Sequence, residues 1–388
     1  MIERFPVTLC IAMDFTFSEE QSLLQDSVQR FIQNSYTFEN RRKLLASEQG
    51  YSEDNWKEFA ELGWLALPFA EEVGGFGGTA VDTMILLEEF GKGLVVEPYI
   101  PSVLLAGHCL EQGGTTSHKE GLLADIMAGT AKAALAFVES QALFDLTNVR
   151  TTASGSGPWK LEGAKGVVLG GPTADWFIVP ARTSGQQTDR EGITLFLVEA
   201  AAAGVSRRDY RTVDGHQASE LALDGVEVGT EAVIGDVDAG LAILESAINQ
   251  GILAVSAEAV GAMEVMYKTT VDYCQTREQF GQPIGKFQVL QHRMVDMFME
   301  HEQTKSLLYM AAMKLDQGDA AEAARALSAL KVRVGRGGRF VGQNAIQLHG
   351  GMGMTEEMAV GHYFKRVTAI DTLFGNHDFH LKKYAHAA

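Results

Sequence analysis

Three long stretches near the C-terminal end limit the fold more than any other feature. Leu241 to Gln275, Phe287 to Leu315 and Ala320 to Leu348 are helical runs, separated only by short polar or glycine-containing joints. Helices of that length predict a bundle. Upstream, Ser18-Glu-Glu-Gln21 reads as a capping box, followed by Leu23, Leu24, Val28, Phe31 and Ile32 as one buried helical face. Further helical runs cover Glu53 to Leu62, Thr79 to Phe90 and Val103 to Leu110, broken by Pro68, the glycines 74–78, and Pro98 with Pro101.

Near Ala133 the pattern changes. Ala133 to Val138, Val167 to Leu169, Trp176 to Val179, Ile193 to Val198 and Leu221 to Leu223 are short apolar runs, and turn compositions such as Ser154 to Pro158 lie between them. The chain therefore reads as α+β, with a helical domain over 14–129, a β domain over 130–238 and a helical bundle over 239–388. A length of 388 residues, 46% of them apolar, suits more than one core.

A formal net charge of -18 argues against nonspecific binding to nucleic acid or to an anionic membrane. Any phosphate ligand must be held by local arginines. Cys10, Cys109 and Cys274 form no C-x-x-C pair, so neither a disulfide framework nor a zinc site is indicated, and a cytoplasmic setting fits best. The apolar patch Phe5 to Ala12 is too short to span a bilayer, and Met13 is an alternative start.

Two segments carry candidate chemistry. Arg277-Glu-Gln-Phe280-Gly281-Gln-Pro283-Ile284-Gly285-Lys-Phe287-Gln288 places a guanidinium, an aromatic face and two glycines in one interhelical joint. A guanidinium can clamp a phosphate, and glycines let backbone N–H groups approach it; an ordinary loop with a proline turn has the same composition. Gln347-Leu-His349-Gly350-Gly351-Met-Gly353 would let a ligand lie against the main chain, or would simply end a helix.

Together these segments resemble the C-terminal domain of the acyl-CoA dehydrogenase family, whose R-x-x-F-G-x-P-I-G-x-F-Q and Q-x-x-G-G-x-G motifs have the same residues in the same order. Pro68 to Gly78 is similar to the family's P-E-x-x-G-G-x-G. The resemblance implies a helical domain, a β-barrel-like middle domain and a C-terminal four-helix bundle. It also implies FAD bound across a subunit interface. Arg277 would meet the pyrophosphate, Phe280 and Ile284 the adenosine end, and Gln347, Gly350 and Gly351 the remainder, with Gln288 a weaker carry-over.

The family's reaction needs a carboxylate to take the α-proton of an acyl thioester while hydride leaves the β-carbon. The two positions that supply it in relatives align with Gly375, in Phe374-Gly375-Asn376, and with Gly251. Glu245 and Glu258 share a helix with Gly251 but stand elsewhere. The family's T-E-x-x-x-G-S reads Val138-Glu139-Ser140 to Asp145 here, and the segment usually W-I-[TS]-N-G reads Gly166-Val-Val168-Leu169-Gly170-Gly171, without the aromatic and hydroxyl side chains. The chain thus keeps residues that would reach a neighbour's flavin and lacks those that would hold its own.

That asymmetry resembles the small subunits of heteromeric acyl-CoA dehydrogenases acting on steroid side-chain thioesters or pimeloyl-CoA. It implies formation of a trans-2-enoyl-CoA, an electron-transfer flavoprotein as acceptor and a dimer-of-dimers assembly. A homomeric oxidase or monooxygenase of the same fold, with a relocated base, and a non-catalytic structural or ligand-binding subunit are the other readings. His377 and His380 lack a third metal ligand, His292 and His301 read as helix-face residues, and no G-x-S-x-G elbow, P-loop or Rossmann glycine motif occurs.

Overall fold

The computed structural model describes residues 16–386. Cys10, the Phe5 to Ala12 patch and the Met13 start lie outside them. Eleven residues of the helix Ala80–Gly93 (α4) are buried, including Met84, Leu86, Leu87 and Phe90, so this helix forms the centre of the first part. Around it lie α1 (Glu19–Ser35), α2 (Phe38–Ala46) and α3 (Glu53–Glu61). The wound segment Ile100–Gly107 continues into α5 (His108–Gly113), and α6 (Thr116–His118) and α7 (Ala124–Met127) follow.

The Ser18 cap forms as the sequence predicts: Ser18 Oγ accepts from the Gln21 N–H, and Gln21 Oε1 accepts from the Ser18 N–H, both at 3.1 Å. The face below it is narrower than predicted. Val28 and Phe31 are buried, but Leu23 is 59% exposed, one position off the stripe that meets α4.

The middle part is one eight-stranded sheet in the order β6 (Val205–Arg211), β7 (Gln217–Val228), β3 (Trp159–Leu169), β2 (Thr152–Gly155), β4 (Trp176–Arg182), β5 (Ile193–Glu199), β8 (Val233–Ile234). β1 (Ala133–Leu135) pairs in parallel with β4, Ala133 opposite Trp176. β6 and β8 end the path without pairing to each other, so the sheet is open, not a closed barrel. One face buries Leu161, Phe177, Val179, Phe196, Val198 and Leu221 as a core of its own. Along β3 the pairing slips between Lys165 and Val168, and this bulge pushes Val167 outward at φ 47°.

The last part holds α8 (Leu241–Thr276), α9 (Gln288–Asp316) and α10 (Ala320–His349), with the shorter α11 (Ala359–Thr372) and α12 (His377–His386) packed on α10. The short strands β9 (Glu278–Gln279) and β10 (Gln282–Pro283) join α8 to α9. Residues 251–263 of α8 are buried without interruption, as befits a helix enclosed on all sides. Where α8 crosses α4 the backbones touch. A Cβ on Gly261 would stand 2.0 Å from the Glu88 carbonyl, and one on Gly91 would stand 2.1 Å from that of Glu258. Only glycine permits that approach, which welds the first helical part to the last.

Candidate functional site

The joint between α8 and α9 is a tight hairpin in which Gln279 pairs with Gln282. Its two central residues, Phe280 and Gly281, both have positive φ, at 55° and 77°. That suits glycine and strains phenylalanine. Phe280 is moreover 92% exposed, with its ring edge-on to Phe287 at 6.1 Å. Arg277 and Gln288 are exposed, and the Arg277 side chain has no hydrogen-bond or ion-pair partner among the described residues. Ile284 differs: it is half-buried against the helical core, so part of its surface is already used by its own chain.

The second segment lies alongside the first. Tyr273, one turn before Arg277, stacks on His349 at 4.4 Å, next to Gly350. Gln347 is exposed at the end of α10, and Gly350 takes φ 59° and ψ -140°, a conformation reserved for glycine. A Cβ on Gly350 or Gly351 would meet nothing within 4 Å. Packing within this chain therefore gives no reason for glycine at Gly351, which leaves its backbone open to an external group.

The two positions expected to carry a base are closed. Gly375 has φ 106°, and a Cβ there would lie 2.6 Å from Phe379 and 2.7 Å from His380 Nε2. That histidine is fixed in place, with Nε2 on the Phe374 carbonyl at 2.9 Å and Nδ1 on Ser328 Oγ at 3.3 Å. At Gly251 a Cβ would meet the Phe374 ring at 2.9 Å and Leu105 at 3.0 Å. Phe374 itself has φ 57° and stacks on Phe137 at 6.1 Å. The aromatic side chain thus fills the space that a carboxylate on α8 would need.

The remaining carboxylates are engaged elsewhere. Glu245 pairs with Arg190 at 2.9 Å near the surface. Glu258 is buried and bonded to Arg366, which also holds Asp214 at 2.8 Å. Burial pushes the Glu258 carboxyl up, against the pull of Arg366. Glu139 bonds Lys165 at 2.6 Å and accepts from the Arg150 N–H at 2.8 Å and the Thr151 N–H at 3.2 Å. Burial favours its neutral form, but Lys165 and these donors outweigh it and hold the carboxyl down to about 2. Glu139 is a structural anchor. Lys165→Met is expected to cost about 3–5 kcal/mol in urea unfolding, because Glu139 would remain buried without its counter-charge.

A cavity of about 930 Å³ lies against Phe374, lined by Phe137, Phe144, Val167, Leu169, Ile252 and Phe379 among others. The segment that has small residues in relatives brings Leu143 and Phe144 here, with Phe144 5.4 Å from Phe379. Its walls include Val167 and Leu169, from the run 166–171 that lacks the aromatic and hydroxyl side chains expected to meet a flavin. His377 bonds Asp371 at 2.9 Å, and among the described residues no group of His, Cys, Asp and Glu could hold a metal ion.

Three family models match consecutively. The acyl-CoA dehydrogenase N-terminal domain matches 18–130, the middle domain 134–226 and the C-terminal domain 238–388. The chain belongs to the acyl-CoA dehydrogenase family. It is similar to L-prolyl-[peptidyl-carrier protein] dehydrogenase of Serratia sp., 29% identical over 94% of this chain and 96% of that one. It is also similar to a solved structure of the ChsE4-ChsE5 complex from Mycobacterium tuberculosis, with TM-score 0.87, 26% identity and 96% and 98% of the two chains covered. PigA with FAD and proline has TM-score 0.89, 27% identity and coverage of 96% and 98%. Within this acyl-CoA dehydrogenase fold, no described helix is long and apolar enough to cross a membrane.

The closure of Gly251 and Gly375 was beyond sequence reasoning. Their identity left the two expected base positions without a carboxylate, but the plug comes from Phe374 and His380, whose positions depend on the turn after α11.

Proposed function

We propose that this chain is the base-lacking half of a heteromeric, FAD-dependent acyl-CoA dehydrogenase. The assembly converts an acyl-CoA thioester to its trans-2-enoyl-CoA and passes electrons to an electron-transfer flavoprotein. One observation carries this reading: both expected base positions are sterically sealed, whereas Arg277, Phe280, Gln347, Gly350 and Gly351 are exposed. When bound, FAD accepts the hydride. Arg277 would hold its pyrophosphate and the Gly350-Gly351 backbone would lie along it, with the flavin ring carried by the partner chain.

The surface supports an obligatory neighbour. Val289, Val295, Phe298 and Met299 on α9, Phe340 on α10, and Met352 and Met354 after α10 are all more than a third exposed. Apolar side chains clustered around the lending segments fit a subunit interface. Arg277, Lys286 and Arg293 are exposed in the same region, which gives a chain of net charge -18 a local site for an anionic cofactor. The test is turnover: the purified chain alone should not reduce an electron acceptor with any acyl-CoA, while coexpression with a base-bearing dehydrogenase should give activity.

A second reading, a homomeric flavoenzyme with a relocated base, draws on the 930 Å³ cavity and on the likeness to PigA. Flavin-dependent oxygen uptake by the chain alone would favour it.

A further inference from the structure

Tyr273 lies in the last turn of α8, and its backbone and its ring serve different neighbours. Its carbonyl accepts from the Arg277 N–H at 2.8 Å and from the Thr276 hydroxyl at 3.2 Å, which fixes the point where the hairpin leaves the helix. The Arg277 carbonyl in turn accepts from the Ile284 N–H at 2.8 Å and closes the hairpin behind it. The ring turns away from the core. Cys274, the next residue, is fully buried, whereas Tyr273 is only half-buried, and unlike Tyr267 and Tyr309 it is not packed on the helical core. It lies on His349 instead, with centroids 4.4 Å apart and planes 28° from parallel.

His349 is the last residue of α10, and Gly350 turns the chain immediately after it. A carbonyl can only accept, so the 2.8 Å contact between His349 Nδ1 and the Ala345 carbonyl places the proton on Nδ1 and ties the ring to α10. Burial pushes the ring below its ordinary range and leaves it uncharged near neutral pH. The following loop folds back on the same residue: a Cβ on Gly353 would stand 3.1 Å from His349 Cβ. Gly350 and Gly351 have no side chains to hold them, so the residue before them sets their place.

We propose that Tyr273 is a positioning residue for the lent half of the flavin site, its stack on His349 holding the Gly350-Gly351 backbone and the Arg277 hairpin as one unit. This rests on the half-site reading, in which guanidinium and backbone serve the same cofactor. The Tyr273 hydroxyl is 3.5 Å from the His349 carbonyl, too far to add much, so the ring carries the tie. An aromatic pair of this kind is worth about two- to tenfold in an equilibrium constant.

The test is titration of the flavin-stripped, coexpressed assembly with FAD. Tyr273→Phe keeps the stack and is expected to retain the affinity, whereas Tyr273→Leu fills similar space without a ring and is expected to bind about fivefold more weakly. His349→Asn removes the other ring, keeps a donor near the Nδ1 position and is expected to match it, which tests the stack from the α10 side should Tyr273→Leu not fold. In an Arg277→Ala background the Tyr273→Leu change should cost clearly less, because the group it positions is gone; a general loosening of the fold would cost the same in both backgrounds. Unchanged affinity in Tyr273→Leu and His349→Asn beside a weakened Arg277→Ala, weakened binding in Tyr273→Phe, or fully additive losses in the double variant would overturn the positioning role alone. Unchanged affinity in Arg277→Ala would overturn the half-site reading, and this role with it.

Discussion

Gly375→Glu, which places a carboxylate at the position where the family's base is expected, is expected to yield no dehydrogenase activity and to destabilise the chain by about 3 kcal/mol or more. Two effects add. A non-glycine residue at φ 106° is strained, and its Cβ would enter the space of Phe379 and His380 Nε2. Because His380 is tied to Ser328 on α10 and to the Phe374 carbonyl, it cannot move aside without loosening the turn between α11 and α12. Urea unfolding and stopped-flow flavin reduction read the two halves of this prediction. Gly251→Glu, confronting Phe374 and Leu105, is expected to behave the same way. A folded Gly375→Glu protein with turnover would show that the turn yields readily and that the base alone was missing.

The second large effect is expected at the exposed hairpin. Arg277→Ala in the coexpressed assembly should weaken FAD by about tenfold to a hundredfold, the range for losing charge-assisted hydrogen bonds to a phosphate. The isolated chain should keep its melting temperature, since the Arg277 side chain has no hydrogen-bond or ion-pair partner among the described residues and its backbone bonds survive the change. Phe280→Asp should reduce assembly as well as flavin retention, because it replaces a 92% exposed ring with a charge at the proposed contact. Size-exclusion chromatography and the absorbance of bound flavin would follow both. A purely structural subunit would leave heteromer activity intact in Arg277→Ala.

Much of the fold was legible because its long helices repeat one pattern many times. The runs read as 241–275, 287–315 and 320–348 appear as Leu241–Thr276, Gln288–Asp316 and Ala320–His349. Short strands were harder. β6, Val-Ser-Arg-Arg-Asp-Tyr-Arg, has an almost wholly exposed charged surface at the sheet's edge, so no apolar alternation announces it. β2 runs into Ser154 and Gly155, residues that read as a turn; its place is set by pairing with β3, which sequence composition does not display. Phe38–Ala46 also passed unread, as its apolar residues are few and its one buried side chain is Arg41, bonded to the carbonyls of Leu94 and Asp214.

The candidate site divides along the same line. Arg277, Phe280, Gln347, Gly350 and Gly351 formed two recognisable strings, and the Tyr273–His349 stack brings those strings side by side. The plug at Gly251 could not be read, because Phe374 lies more than a hundred positions away along the chain and reaches α8 only through the turn at φ 57°.

The central claim is that this chain lends half a flavin site and does not hold a complete one. The most direct measurement is the visible absorbance of flavin per chain, first for the protein expressed alone and then after coexpression with a base-bearing dehydrogenase. The account predicts little flavin alone and about one FAD per pair of chains together, as expected when the cofactor's contacts are completed only by the partner. One tightly held FAD per chain without a partner would contradict it.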